Sequence, residues 1–288
     1  MMKHQLMGLG ILALSTLSLH AQSEQGLALA RDLSEANDHV QAAVEYRRLA
    51  MDLKVPTEQG ALYWMAGYEY IRAMRHEQAN RMLSLVEDAT PTLETEVYLL
   101  RAENSSLQER FGETAFYLES LNDNAQPEPL RRLAAQRLAV AKMHLKDYAG
   151  AREALHKAGG DPAITVEAIA AYEAGKDKRP TVGGLLGLIP GLGYAYSGEY
   201  GSALRSLILN SLCIWGMLEF ADEEQWAGVA VVGFAEITFY SGSIYGGADA
   251  AVRYNERRLQ QCTETIAGRT EIRPDRGALP VLTLRYEF

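Results

Sequence analysis

Hydrophobic and polar positions follow two different patterns along the chain. Up to about residue 175, apolar residues recur at helical spacing in short amphipathic runs broken by turns and prolines. From Ser202 to Tyr245 they form two nearly uninterrupted apolar blocks, split by the polar ADEEQ, Ala221–Gln225. In the first part, Leu29-Ala30-x-x-Leu33 leads to Ala42, Tyr46 and Leu49, and Tyr63-x-x-Ala66-Gly67-x-x-Tyr70 leads to Ala79, Leu83 and Val86. Tyr98 and Ala102 lead to Thr114, Leu118 and Leu121, and Leu138-Ala139 leads to Ala151, Leu155 and Ala158. This spacing predicts four helix pairs, repeated at steps of about 34 residues with small insertions. Small residues let the two helices of a pair approach, and aromatic and Leu positions fill the space between pairs. Each pair therefore buries its face only by stacking on its neighbours.

Pro56, Pro91 and Pro127/Pro129 fall between pairs, where a helix has to end. KDYAGA, Lys146–Ala151, reads as the turn inside the fourth pair. A last helix over Pro162–Ala174, with Asp161 as its N-cap, is expected to close the stack. GKDKRP, Gly175–Pro180, is then the domain boundary. The motif from Tyr63 to Val86 resembles the tetratricopeptide repeat, with its large residue, small pair, aromatic and small residue opening the second helix. The resemblance implies a helical solenoid whose concave surface takes protein or peptide partners. Tyr63 and Tyr70 are candidate partner-binding residues on that surface, and core packing is the competing reading.

Beyond Pro180 the composition changes. Glycines 183, 184, 187, 191, 193 and 198 surround Ile189-Pro190, a density that leaves a water-exposed helix weak but permits close backbone approach in lipid. Ser202–Phe220 and Trp226–Tyr245 are each about one membrane span. The pattern predicts a transmembrane helical hairpin behind a lead-in that lies at the interface or re-enters. A buried core hairpin in a soluble domain is the alternative. Gly191, Gly193, Gly198, Gly242 and Gly246 are candidates for close helix packing, and Arg205, Asn210 and Glu236 are intramembrane polar residues. With the turn centred near Glu223, antiparallel packing is expected to set Asn210 at the depth of Glu236, hydrogen-bonded to it, with Arg205 leaning toward both. Tyr194, Tyr196, Tyr200, Trp226 and Tyr240 sit near span ends, as interface aromatics do.

Pro190-Gly191-x-Gly193-x-x-Tyr196-x-Gly198, then Asn210, then Phe239-Tyr240-x-Gly242-x-Ile244-Tyr245-Gly246 and Arg253-Tyr254-Asn255, resembles the Gly-rich C-terminal region of bacterial exported repeat proteins. This resemblance implies a bacterial envelope protein and assigns no functional residues. Residues 1–21 read as a secretory leader, with Lys3, an apolar run from Leu6 to Leu19, and Ala21 before a polar break. The leader places the repeats in the periplasm. The charges disagree: Lys176, Lys178 and Arg179 before the hairpin and Arg253, Arg257 and Arg258 after it would keep both ends in the cytoplasm. Either Gly183–Tyr200 also crosses, or the membrane is the outer one.

The tail ALPVLTLRYEF alternates Leu282, Leu284, Tyr286 and Phe288 with Thr283, Arg285 and Glu287, the period of a strand with one apolar face. No other clear strand is visible to pair with it, so Leu284, Tyr286 and Phe288 are candidate partner-binding residues. The pattern resembles the signal that closes outer-membrane barrels, which implies such a barrel or its assembly machinery as a partner.

A net charge of −9 argues against nucleic-acid binding. Cys213 and Cys262 have no metal spacing, the histidines are scattered, and Gly191-x-Gly193 lacks the third glycine of a dinucleotide loop. Neither catalytic nor cofactor or metal residues are proposed. The expected architecture is all-α: a leader over 1–21, a tetratricopeptide-like repeat domain over 22–175, the lead-in and membrane hairpin over 176–260, and a tail with a terminal strand over 261–288. The expected function is a non-enzymatic, membrane-attached envelope scaffold for proteins or peptides, in outer-membrane assembly or secretion. The alternatives are a membrane protein that handles lipid or small molecules through the Gly-rich hairpin, and a soluble periplasmic adaptor.

Overall fold

The computed structural model describes residues 24–121, 128–158, 163–268, 270–274 and 282–286, and the expected leader and Phe288 lie outside them. The described chain is mostly helical. The described residues divide into two compact units, one formed by those up to residue 158 together with those from Ala267 on, the other by Ala163–Ile266.

The first unit begins with α1 (residues 24–35), α2 (His39–Asp52), α3 (Pro56–Arg72) and α4 (His76–Ala89). After a 3-10 turn, Pro91–Leu93, it continues with α5 (Glu94–Leu107), α6 (Phe111–Leu121), α7 (Glu128–His144) and α8 (Tyr148–Ala158). Pro56 occupies the first turn of α3, where its missing N–H costs nothing. Asp38 caps α2 by accepting from Gln41 N at 3.3 Å. Each pair turns through one residue with a left-handed backbone: Asn37, Met74, Glu109 and Lys146. Ala42, Ala66, Ala79, Leu83, Val86, Leu99, Leu118 and Ala134 are fully buried, so the small and large positions of the sequence pattern form one core.

A contact that the periodicity did not reveal recurs along this unit. The residue opening the second helix of one pair reaches the first helix of the next. His39 Nδ1 is 2.7 Å from Glu69 Oε2, and His76 Nδ1 is 2.7 Å from Asn104 Oδ1. Phe111 stacks on His144 with ring centroids 3.9 Å apart. Glu69 and Asn104 are almost fully buried, and Ser34 and Asn80 supply further bonds to them. These histidines belong to packing between pairs.

The second unit holds α9 (Ala163–Ala174), α10 (Pro180–Leu186), α11 (Leu192–Tyr196), α12 (Tyr200–Asp222) and α13 (Trp226–Ala267). The helix α9, expected to close the repeats, belongs here. Ile169 is fully buried, Cys262 donates to Ala168 O at 3.5 Å, and Arg258 donates to Tyr172 O at 2.6 Å while lying over the Tyr172 ring. Its partner is the C-terminal part of α13, some ninety residues away in sequence, and local pattern carries no trace of that.

At the C-terminal end, β1 (Thr270–Pro274) and β2 (Leu282–Tyr286) pair antiparallel, with Ile272 opposite Leu284 and Thr270 opposite Tyr286. The premise that nothing in the chain could pair with the tail is thereby overturned. Residues 270–274 alternate Thr270, Ile272 and Pro274 with Glu271 and Arg273, but with one large apolar residue and a proline the pattern is too weak to mark a strand without its partner.

Candidate functional site

The second unit carries the features that bear on function. The helix α12 has 23 residues and a mean hydropathy of 1.3 over its most apolar stretch; α13 has 42 residues and 1.4, and in each only 6% of that stretch is buried. Both helices are long and apolar enough to cross a membrane. Phe234 is 76% exposed, Val231 72% and Trp215 63%, and large side chains on every side of the pair share that exposure. A soluble core hairpin would bury them, so the pair leaves a large apolar surface uncovered. At 1.5 Å per residue α13 is about 63 Å long, roughly twice the hydrocarbon thickness, so a crossing would take only about half of it.

The two helices meet along an antiparallel seam. Gly228 lies against the Phe220 ring, Gly233 against Met217 Sδ, and Gly216 against Val232. The turn is Glu223-Glu224-Gln225 with Glu224 left-handed, φ 58°. Its centre is therefore one residue later than expected, which shifts the register between the helices. Glu236 falls beside Cys213, about one turn from Asn210. The expected trio does not form. Asn210 donates from Nδ2 to Ser206 O of its own helix at 2.7 Å, Arg205 donates from Nε to Gly201 O at 3.2 Å, and Glu236 Oε2 has no hydrogen-bond partner among the described residues.

The lead-in forms no helix long enough to cross a membrane. The helices α10 and α11 have 7 and 5 residues, about 10 and 8 Å of helix, and they fold back on each other and on α13. Gly193 approaches Gly183 and Gly247, backbone on backbone, and Gly187 packs on Ser243 and Ile244. Ser243 ties this together, donating to Gly187 O at 2.9 Å and accepting from Gly191 N at 3.3 Å. Of the five glycines expected to pack closely, Gly191 and Gly193 do so against backbone and Gly246 against the Tyr194 ring. Gly198 and Gly242 do not: a Cβ at either meets nothing within 4 Å. Gly198 is instead required by its backbone, φ 78°. Gly183, Gly187 and Gly247 are the contacts missed, and only the tertiary approach of α10 to α13 distinguishes them from the other glycines.

A charged and aromatic collar surrounds this end. Arg253 holds the Glu199 carboxylate with two bonds of 3.0 and 2.8 Å, and Arg257 adds a third at 3.4 Å. The hydrogen bonds from Arg253 hold the Glu199 carboxyl below the usual carboxylate range. Lys178 exchanges two backbone hydrogen bonds of 2.8 Å with the Asn255 carboxamide and lies over the rings of Tyr196 and Tyr254. Tyr240 donates to Leu188 O and Tyr194 to Gly242 O, so the expected interface tyrosines also fasten the lead-in.

Inside the collar, between α11, α12 and α13, lies a cleft of about 270 Å³. Tyr194, Ser202, Arg205, Ser206, Asn210, Thr238 and Ser243 are its polar lining, and Leu209 and Phe239 line it with apolar surface. Asn210 is 1% exposed, yet its Oδ1 has no hydrogen-bond partner among the described residues, and neither has Ser206 Oγ. Arg205 and Asn210 thus share a site, though without Glu236.

The remaining candidates fall elsewhere. Tyr63 and Tyr70 are 8% and 7% exposed within the core of the first unit, so they pack and are not open to a partner. Leu284 and Tyr286 lie in β2. Groups of three or more potential metal ligands are absent among the described residues. No protein-family model, curated protein or solved structure matches the chain.

Proposed function

We propose that the chain is a membrane-tethered scaffold: the α12/α13 hairpin holds it in a bilayer, and the helices of the first unit present a surface to protein or peptide partners. The observation that carries this is the contrast between the units. The first completes its own core, whereas the two longest apolar helices of the second leave 94% of their most apolar stretch unburied, the complement of the 6% that is buried. Apolar area on that scale needs cover, and helices of bilayer length that expose it favour lipid as that cover. What supports the tetratricopeptide-type reading is the spacing of the left-handed turn residues Asn37, Met74, Glu109 and Lys146, with the small residues Ala42, Ala79, Thr114 and Ala151 five residues after each.

Two crossings leave both ends of the hairpin on one face of the bilayer. In our reading that face is the periplasmic one, assigned by the leader, and the protein belongs to a bacterial envelope. The tail has a partner strand within the chain, which removes the need for an outer-membrane barrel to satisfy it. Such a barrel or its assembly machinery stays a proposal for the free edges of the β1–β2 pair.

Alkaline carbonate extraction of membranes from cells producing the full chain tests the tether, and a photo-crosslinker at the exposed Phe116 tests the scaffold. Recovery in the pellet together with a discrete protein adduct is the expected result. Release into the supernatant overturns the tether, and labelling of lipid alone favours the lipid-handling alternative, for which the polar cleft speaks.

A further inference from the structure

We infer that the cleft between α11, α12 and α13 seats one phospholipid, with its phosphate on Arg205. The inference rests on the membrane-tether reading and adds a ligand to it. Arg253, Arg257 and Arg258 are each paired with a carboxylate, Glu199 or Asp177. Arg205 lies five residues inside α12, about 8 Å along the helix from the exposed Tyr200. Among the described residues its only hydrogen bond is the one to Gly201 O. An arginine at that depth requires an anion or a path to water.

The polarity of the cleft is graded with depth. Ser202 and Arg205 come first along α12 from the collar, Ser206 and the buried Asn210 carboxamide follow, and the apolar lining residues Leu209 and Phe239 are exposed. A phospholipid has the same order: phosphate outermost, glycerol esters next, acyl chains beyond. Arg205 and the Ser202 hydroxyl donate to the phosphate, and the partnerless Ser206 hydroxyl donates to an ester carbonyl. A free inorganic phosphate would satisfy Arg205 but leave the deeper Ser206 hydroxyl without an acceptor, which is the reason for assigning a lipid.

The test uses the purified full chain in a neutral detergent, with bound lipid counted by native mass spectrometry. The probes are dioleoylphosphatidylglycerol, dioleoylglycerol with the same acyl chains and no phosphate, and inorganic phosphate as competitor. One phosphatidylglycerol per chain is expected, retained in excess inorganic phosphate, with dioleoylglycerol held more weakly by roughly tenfold or more, the scale of a hydrogen bond to a charged group. Arg205→Gln should lose a similar factor and Arg205→Lys should recover most of it.

Gly242→Leu is the second variant. Its Cβ enters open space in the cleft wall, so it blocks the site while leaving α13 intact, and it should displace the lipid even if Arg205→Gln fails to fold. Equal binding of both lipids, full competition by inorganic phosphate, or wild-type binding by Gly242→Leu overturns the assignment. Carbonate extraction of the same variants separates the two readings: a chain that stays in the membrane but does not discriminate between the lipids refutes the cleft alone, and a chain released from the membrane refutes the tether.

Discussion

Replacing Gly247 by alanine should pry the lead-in off α13, whereas the same change at Gly242, five residues earlier on the same helix, should not. A Cβ at Gly247 would lie 2.5 Å from Gly183 O and 2.9 Å from Gly193 Cα. Carbon contacts settle near 3.5–4.0 Å, so about 1 Å of separation is required. Both neighbours are backbone, so the strain is relieved only by moving α10 and α11 as bodies. Overpacking then falls in the upper part of the usual range of about 1–3 kcal/mol, and alanine's helix preference over glycine returns about 1 kcal/mol. The net loss is about 2 kcal/mol, roughly a 30-fold rise in the opening equilibrium of the lead-in. At Gly242 only the favourable contribution of about 1 kcal/mol operates, because the added methyl meets nothing within 4 Å. Hydrogen exchange of the amides from Val182 to Tyr196, followed by mass spectrometry on the full chain in detergent, reads that opening directly. Wild-type exchange in Gly247→Ala would refute the backbone-on-backbone packing.

Other consequences can be measured in the same way. In the first unit Gly67→Leu should destabilise α3 and α4 by about 1–3 kcal/mol, because a Cβ there already lies 3.1 Å from Leu83 Cδ2; unchanged exchange in both helices would contradict the pair packing. The Glu199 carboxyl is held below its ordinary value, so its contribution is complete above the unfolded carboxylate range and disappears as pH falls through the lowered folded value. Lead-in protection should therefore be flat near neutral pH and weaken in acid, while Glu199→Gln starts weaker and shows a flatter acid response; identical profiles would refute the clasp. Glu236→Leu should leave the hairpin as resistant to proteolysis as the wild type, since Glu236 bonds neither Asn210 nor Arg205, its Oε2 lacks a partner, and the Cys213 thiol beside it is only a weak donor. A loosened hairpin would restore the polar trio that the shifted turn excludes.

What the sequence determined by itself was local. The helical period, the prolines and the small residues marked the helix pairs, because those signals act through the backbone of one turn and the next. Pro56 and Pro180 stand in the first turns of α3 and α10 for that reason. The length of the apolar runs marked α12 and the first half of α13 as able to cross a membrane, since bilayer thickness is fixed independently of the fold. Tertiary structure decided whatever joins distant segments. A glycine looks the same in sequence whether it packs, as Gly247 does, or faces open space, as Gly242 does. The pairing of β2 with β1, the place of α9 beside Cys262, and the contacts of His39 and His76 across helix pairs depend on partners that no local period encodes. The polar cleft shows the limit most clearly. Arg205, Asn210 and Glu236 were visible as polar residues in apolar runs, but whether Glu236 joins the other two was set by the turn at the left-handed Glu224, because moving the centre of a hairpin turn by one residue moves every facing pair along both helices.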